Sequence, residues 1–396
     1  MSATASSAVE TLLGSEAIGA LMNPQPERAK GLPGRAYTDP EFFRLEQTEL
    51  FPKRWMSIGV AHDVPGPGDA KPVSIASWPL VMVRGRDDVL RVFLNICPHR
   101  GMSPIAEPCK GLTNIRCPWH SWTYDLDGTL IAQPNIGGVG VNRADGFDRA
   151  ALGLREVRAG VWMNTVFVNI DGKAPPLEEH VGHFERYFAD YDLSLLRHGG
   201  WHDLEIPANW KLTVEGGIED YHLPWIHSQI FSGRPNWWGR AVIEGTMVGT
   251  ESCIPQADDG NLINTRSATL PKFPNLKPEM RDMGNFMCLF PNVGITVLTD
   301  HIAVTQFMPQ AADRTYYRKD YYFVGDEAAS GASFAESRQA VSDGWKMINA
   351  QDGPLVAVLQ KNHAVRDRIG IDNRFTPAWE GAVQRFQQMV VETMTV

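Results

Sequence analysis

The chain is short of cysteine, carries no excess of base and has no long apolar run, and each shortage removes a class of protein. Five cysteines in 396 residues are too few and too scattered for a disulfide scaffold. A reducing compartment is therefore expected, in which cysteine beside histidine points to metal binding or chemistry. Lys and Arg number 37 against 46 Asp and Glu, a net charge of −9, which argues against nucleic acid as the main partner. No uninterrupted apolar stretch approaches the roughly 18 residues of a membrane helix. The first residues, Met1 to Ser7, offer neither a basic n-region nor an apolar h-region. The expectation is a cytoplasmic protein with no membrane partner. With 43% hydrophobic and 21% charged residues, wholesale disorder is excluded, and the length suggests two or three domains.

Residues 1–35 are small, polar and turn-rich, and read as a mobile arm with a short helix around 8–22. Residues 39–54 read as a helix opened by Asp39-Pro40. From 55 to about 170, runs such as Pro72 to Ala76, Leu80 to Arg84 and Val89 to Leu94 are separated by Gly, Pro and Asp-Gly turns. This is the pattern of a small antiparallel β-domain, with 162–171 as its last strand. A helix at 177–195, a strand at 201–206, a helix at 209–223 and a long irregular region at 228–283 follow. So long a loop is a lid, a binding loop or unrecognised strand. Alternating segments over 285–324 read as paired strands, 325–331 as a turn, and 332–395 as two or three helices. The fold class is α+β: residues 1–54 form an arm and helix, 55–172 a β-domain and 173–396 a larger α+β domain.

Two dense clusters carry the chemistry. In the first, Cys97-Pro98-His99 is followed by Cys117-Pro118-Trp119-His120. Each half offers one thiolate and one imidazole on a tight loop. Three readings fit: a structural zinc site with two thiolates and two imidazoles, coincidence, or a Rieske [2Fe–2S] centre, in which one iron takes two Cys and the other two His.

The second cluster runs from Asn209-Trp210-Lys211 to His227 and contains Glu215-Gly216-Gly217, Glu219, Asp220, His222, Pro224 and His227. On one helix, Glu219 and His222 would share a face. His222 and His227 would stand about 140° apart, so they converge only if the helix breaks, and Pro224 is suited to break it. An amphipathic helix with ordinary polar residues is the plain alternative. Two imidazoles plus a carboxylate with open positions make the facial triad of non-haem Fe(II) oxygenases.

The flanks Arg100-Gly101 and Ser121-Trp122, then Tyr124 and Gly128, complete a motif that resembles the Rieske domain of ring-hydroxylating and related non-haem iron oxygenases. The order of that motif, then Asn-Trp-Lys and a His-x4-His pair about a hundred residues on, resembles the α subunits of these terminal oxygenases, including the choline- and carnitine-oxidising branch. The resemblance covers residues 40–396. It implies a Rieske domain at 55–172 and a catalytic domain at 173–396 with a curved antiparallel sheet flanked by helices, of helix-grip or START-like type. It implies that Cys97 and Cys117 hold one iron of the cluster and His99 and His120 the other, and that His222 and His227 hold a mononuclear Fe(II).

The third ligand of such a site is a downstream acid before an apolar helix ending in Gln. Of Asp343, Asp352, Asp367 and Asp372, Asp352 fits this best, because Gly-Pro-Leu-Val-Ala-Val-Leu-Gln360 follows it; an N-cap is its plain alternative. Glu219 occupies the position that links the cluster of one subunit to the iron of the next, with Asp220 as competitor. Glu there resembles the branch acting on choline-, betaine- and carnitine-like compounds, where many aromatic-ring dioxygenases have Asp. Gly216-Gly217 stands where relatives often have Asn, which suggests extra room beside the metal. Ser121 replaces a common Gly without expected consequence. Cys109, Cys253 and Cys288 fit no ligand spacing.

The chain has neither a G-x-G-x-x-G fingerprint after a strand nor the all-Cys set of a ferredoxin. Electrons are therefore expected from a separate reductase or ferredoxin fed by NAD(P)H, with O2 as co-substrate. The resemblance also implies a homotrimer. The expected reaction is hydroxylation, cis-dihydroxylation or oxidative dealkylation of a small organic substrate, favoured as a quaternary-amine-like compound over an aromatic one. Trp225, Phe231, Trp237, Trp238 and Phe286 are candidates for the pocket. A non-catalytic Rieske carrier or zinc scaffold is the alternative of another class.

Overall fold

The computed structural model describes residues 5–228, 237–253, 270–280 and 282–395. The chain divides into two compact units, one made of residues 51–174 and the other of residues 1–50 together with 175–396.

In the 51–174 unit a six-stranded antiparallel sheet runs β1 (Met56–Val60), β9 (Thr165–Asn169), β8 (Glu156–Trp162), β4 (Leu90–Leu94), β3 (Trp78–Arg84), β2 (Ala70–Ile75). A separate small sheet contains β5 (Ile115–Arg116), β6 (Thr123–Tyr124) and β7 (Leu130–Ala132). The β-branched runs at 72–76, 80–84 and 89–94 are strands, as their composition predicts. The run at 162–171 is divided: Trp162 ends one strand, and Met163 and Asn164, at φ 45° and 60°, turn the chain into the next. A core of Phe93, Ile115, Tyr124 and Leu130 fills the space beside Cys97 and Cys117.

The larger unit is built on a curved, seven-stranded antiparallel sheet flanked by helices. Its order is β10 (Leu196–Ile206), β16 (Arg314–Val324), β15 (His301–Ala311), β14 (Val293–Val297), β13 (Met283–Leu289), β12 (Met247–Cys253), β11 (Trp238–Glu244). Two of these strands lie in the segment read as irregular; the rest of that segment, with Phe231, lies partly outside the described residues. The register sets His202, Lys319, Thr305 and Gly294 side by side across four strands. Gly294 is needed there, since a Cβ would come 2.9 Å from the ring of Phe307.

The helical reading of 332–395 stands, and those of 177–195, 209–223 and the turn at 325–331 need correction. Residues 332–395 hold two main helices, Ala335–Ile369 of 35 residues and Gly381–Thr395. The expected turn after β16 contains a short helix, Asp326–Ser330. The helix read over 177–195 ends at Tyr187. The helix read over 209–223 stops at Glu215. There Gly216-Gly217 offers little to hold a further turn, and a second helix of one turn covers Leu223–Ile226. Among the described residues no helix is long and apolar enough to cross a membrane.

The first 35 residues are not a loose arm. Helices Ala5–Leu13 and Ser15–Leu21 meet at Gly14, whose φ of 87° suits glycine. Val9, Leu13 and Leu21 are buried, and Gln384 Nε2 donates to the carbonyls of Leu21 at 3.0 Å and Asn23 at 2.8 Å. The Asn-Trp-Lys stretch completes this joint. Asn209 caps its helix, Trp210 Nε1 donates to Glu46 Oε2 at 3.1 Å, and Lys211 Nζ reaches Glu46 Oε1 at 2.6 Å. Both Lys211 and Glu46 are fully buried. Burial pushes Glu46 up and Lys211 down, and each partner's charge opposes that shift. Removal of one member would leave a bare buried charge, at a cost of about 3–5 kcal/mol.

Candidate metal centres

The loop after β4 carries Cys97 and His99, and the loop between β5 and β6 carries Cys117 and His120. The two loops are folded alike. Gly101 N donates to Cys97 O at 2.9 Å and Ser121 N to Cys117 O at 3.1 Å, and Cys97 N and Cys117 N donate to Met102 O and Trp122 O, both at 2.8 Å. Each loop closes on a residue with positive φ, Gly101 at 80° and Ser121 at 58°. Ser121 therefore stands in left-handed backbone that costs a side-chain-bearing residue about 1 kcal/mol or more. Its hydroxyl accepts from Arg116 Nη2 at 2.8 Å. We expect Ser121→Gly to raise the midpoint stability of the unit by about 1 kcal/mol, read by thermal unfolding of the cluster-loaded protein; a decrease would show that the Arg116 contact outweighs the strain.

Both thiols are buried and unoxidised, while His99 is exposed and His120 half-buried. The imidazole rings lie 4.5 Å apart, and Trp122 stacks on His99 at 4.6 Å. Tyr124 Oη is 3.0 Å from Cys97 Sγ. Backbone N–H groups of Trp119 and His120 point at the Cys117 sulfur. Sulfurs inside, imidazoles outside and N–H donors aimed at sulfur suit a two-iron cluster whose potential is set by such donors. Among the described residues these four are not one of the groups whose ligand atoms all lie within 4.8 Å of one another, which a single tetrahedral ion needs.

The second centre lies wholly within the larger unit. His222 precedes the one-turn helix Leu223–Ile226 and His227 follows it. Pro224 opens this helix instead of breaking one. Glu219 and His222 do not share a helix either: the segment between the two short helices is a turn. Glu219 Oε2 accepts from the backbone N–H groups of Tyr221 and His222, and Oε1 accepts from His222 Nδ1. Burial works against a charge on His222, but the hydrogen bond and charge of Glu219 win and hold its pKa above the ordinary value.

His227 Nδ1 donates to Gln351 Oε1 at 2.8 Å. This leaves Nε2, which is buried, lacks a hydrogen-bond partner and sits 3.2 Å from Asp352 Oδ1. A lone pair facing a carboxylate oxygen in a buried site calls for a cation between them. Donor atoms of His222, His227 and Asp352 all lie within 4.8 Å of one another. Two neutral imidazoles, each oriented through its other nitrogen, and one carboxylate fit a divalent iron.

Asp352 is in the body of the long helix, two residues before Pro354, so it is no N-cap. The other downstream acids are engaged elsewhere. Asp367 accepts from Gly34 N at 2.7 Å, Asp372 pairs with Lys30 at 2.9 Å and Asp343 accepts from Gln339 at 2.8 Å. Asp220 is fully buried, and the hydroxyls of Thr250 and Ser252 each donate to its Oδ2 at 2.6 Å, while its Oδ1 has no hydrogen-bond partner among the described residues.

A cavity of about 460 Å³ opens beside this trio. Gly216 and Gly217 form part of its wall, with Phe286, Phe307, Trp345 and Lys319. Trp225 is 75% exposed, and Trp237 stacks on Trp379 at 5.0 Å. Neither they nor Trp238 line the cavity among the described residues. Of the described aromatic residues expected there, only Phe286 does.

The family model described as ring hydroxylating alpha subunit (catalytic domain) matches residues 193–396, which include the trio. The chain belongs to the ring-hydroxylating alpha subunit family. The Rieske [2Fe–2S] domain model matches residues 54–142. The two domains are those that carry a Rieske cluster and a mononuclear iron in this family.

Similar proteins include a glycine betaine monooxygenase oxygenase subunit from Chromohalobacter salexigens, 31% identical over 51% of this chain and 44% of the relative. A carnitine monooxygenase oxygenase subunit from Escherichia coli is 32% identical over 50% of this chain and 52% of the relative. A 2-aminobenzenesulfonate 2,3-dioxygenase subunit alpha from an Alcaligenes species is 32% identical over 48% of each chain. The chain thus spans about half the length of the curated relatives it matches. The fold resembles that of a quaternary ammonium Rieske monooxygenase of solved structure, at TM-score 0.77 and 22% identity over 94% of this chain and 97% of the other. It also resembles naphthalene 1,2-dioxygenase from Rhodococcus, at TM-score 0.77 and 17% identity over 99% of both chains.

Proposed function

We propose that this chain is the terminal oxygenase of a multicomponent Rieske system, with Cys97, His99, Cys117 and His120 holding the cluster and His222, His227 and Asp352 the mononuclear iron. The observation that carries the reading is the orphaned Nε2 of His227 facing Asp352 at the wall of a cavity. When bound, the two metal groups supply single electrons and the activation of O2. The chain's own residues do the rest. Gln351 and Glu219 fix the two imidazoles through Nδ1, and the largely apolar wall limits water around the substrate. The side-chain-free Gly216-Gly217 leaves room beside the metal.

The substrate is a small organic molecule, favoured as a quaternary-amine-like compound, in keeping with Glu219 and with the monooxygenases above; the reaction is hydroxylation or oxidative dealkylation. Phe286 and Phe307 in the wall favour a flat aromatic ring and cis-dihydroxylation as the second reading. Electrons come from an NAD(P)H-fed reductase or ferredoxin. Glu219 bridges to the cluster of a neighbouring subunit in a homotrimer, and the free thiols suit a cytoplasmic location.

The purified protein, reduced by dithionite, is expected to hold three irons per chain and give a Rieske-type EPR signal. It is also expected to consume O2 when given a reductase and substrate. Zinc in place of iron, or the cluster signal without mononuclear iron, would instead identify a zinc scaffold or a simple electron carrier.

A further inference from the structure

β16 has a polar centre, Arg318-Lys319-Asp320, between Tyr316-Tyr317 and Tyr321-Tyr322. Alternation along a strand sends Arg318 and Asp320 to one face and Lys319 to the other. Arg318 and Asp320 satisfy each other, with Nε donating to Oδ2 at 2.8 Å. Lys319 is left alone on the cavity face. It is the only Lys or Arg among the described residues of the cavity wall, and it is 5% exposed. No carboxylate among the described residues forms an ion pair with it.

Its ammonium stands 3.9 Å from the ring centroid of Trp345. That indole is held in place. Its Nε1 donates to His301 Nε2 at 3.1 Å, and His301 Nδ1 donates to Asp300 Oδ1 at 2.7 Å. The face of the indole that Lys319 covers already meets the protein's own cation. Burial pushes the Lys319 ammonium down to about 7, with the charge of Asp352 opposing the shift. Under the reading above, Asp352 belongs to iron, which leaves Lys319 no anion of its own. The other polar groups nearby are engaged: Asn349 accepts from Tyr317 Oη at 3.3 Å and its Nδ2 meets His202 Nε2 at 2.8 Å. A buried lysine on a substrate cavity with no carboxylate partner, whose charged form an incoming anion would favour, is a candidate anion site.

We propose that Lys319 selects substrates bearing a carboxylate or sulfonate, docking that anion against its ammonium at the Trp345 end of the cavity while the oxidisable end lies toward His222 and His227. This rests on the oxygenase reading and narrows it. An uncharged hydrocarbon ring and a cation lacking an anionic group are both expected to be poor substrates, because neither offers Lys319 an anion that favours its charged form.

The test uses the iron-loaded full chain and paired probes: glycine betaine against its carboxamide, and 2-aminobenzenesulfonate against its sulfonamide. Binding is read by calorimetry and turnover by O2 consumption. At least one anionic probe is expected to bind on the order of 100-fold more tightly than its neutral partner. Lys319→Met should erase that ratio through KM with little change in kcat, and Lys319→Arg should retain part of it. Iron content and cluster absorbance certify that each variant is folded; if Lys319→Met is not, Lys319→Gln takes its place.

An anion preference that survives loss of the lysine overturns the proposal. So does the absence of any anion preference in the wild-type protein. Binding does not require turnover, so anion-selective binding without substrate-dependent O2 consumption would count against the oxygenase reading alone.

Discussion

His227→Ala is expected to purify with its [2Fe–2S] absorbance intact and its mononuclear iron lost. His227 supplies the most buried donor of the trio, 2% exposed, and its Nε2 has no other partner to lose. Alanine there removes one of three proposed protein ligands together with the Nδ1 group that meets Gln351 Oε1. The loss should exceed the roughly 10–100-fold that follows removal of an outer hydrogen-bond partner. Iron analysis should fall from three atoms per chain to two, and substrate-dependent O2 consumption should drop more than about 100-fold. The proposed cluster ligands belong to the other compact unit, so the visible spectrum reports that unit, and far-UV circular dichroism checks the folding of the unit that carries the substitution. Full occupancy of the third iron in this variant would show that His227 is not a ligand.

Glu219→Gln is expected to keep both metals and slow the passage of electrons between them. The side chain is 12% exposed and accepts from Tyr221 N, His222 N and His222 Nδ1. An amide of the same shape keeps the packing. It surrenders the charge that favours a basic, electron-rich imidazole on His222 and replaces one of the two acceptor oxygens with an NH2 donor. Single-turnover oxidation of the pre-reduced cluster, followed by its visible absorbance in the presence of O2 and substrate, should slow by on the order of 10–100-fold. Iron content should remain at the wild-type value. An unchanged rate would remove Glu219 from the electron path and leave it as a positioning residue for His222 alone.

The sequence made the cluster site legible because its four proposed ligands sit on two short loops, where spacing and geometry are nearly the same thing. The second site was legible in its residue types and not in its local shape. Glu219 and His222 meet through a turn that backbone hydrogen bonds to Glu219 stabilise, and His222 and His227 flank a helix of a single turn. Periodicity has nothing to say about so short an element. Asp352 emerged from the apolar run after it, but the acids that compete with it are excluded only by distant partners such as Gly34 and Lys30. Gln351 and the Asp300–His301–Trp345 chain join residues far apart in sequence, and no local pattern announces them. Lys319 did leave a trace: three charged residues in mid-strand among tyrosines, one of which the pleat must separate from the other two. Of the aromatic residues proposed for the pocket, Trp225 faces outward and Trp237 pairs with Trp379. Aromatic content names candidates and only packing chooses among them.

The joint between the first helices and the last has a consequence for synthesis. The carbonyls of Leu21 and Asn23 wait for Gln384, and Glu46 waits for Lys211. Residues 51–174 hold their own contacts within one stretch of chain and can fold while translation continues. Helices Ala5–Leu13 and Ser15–Leu21 are made well before helix Gly381–Thr395, against which both pack. During synthesis these two helices therefore wait longer than residues 51–174 for part of their packing, and for that interval their apolar faces are open to chaperones and to misassembly.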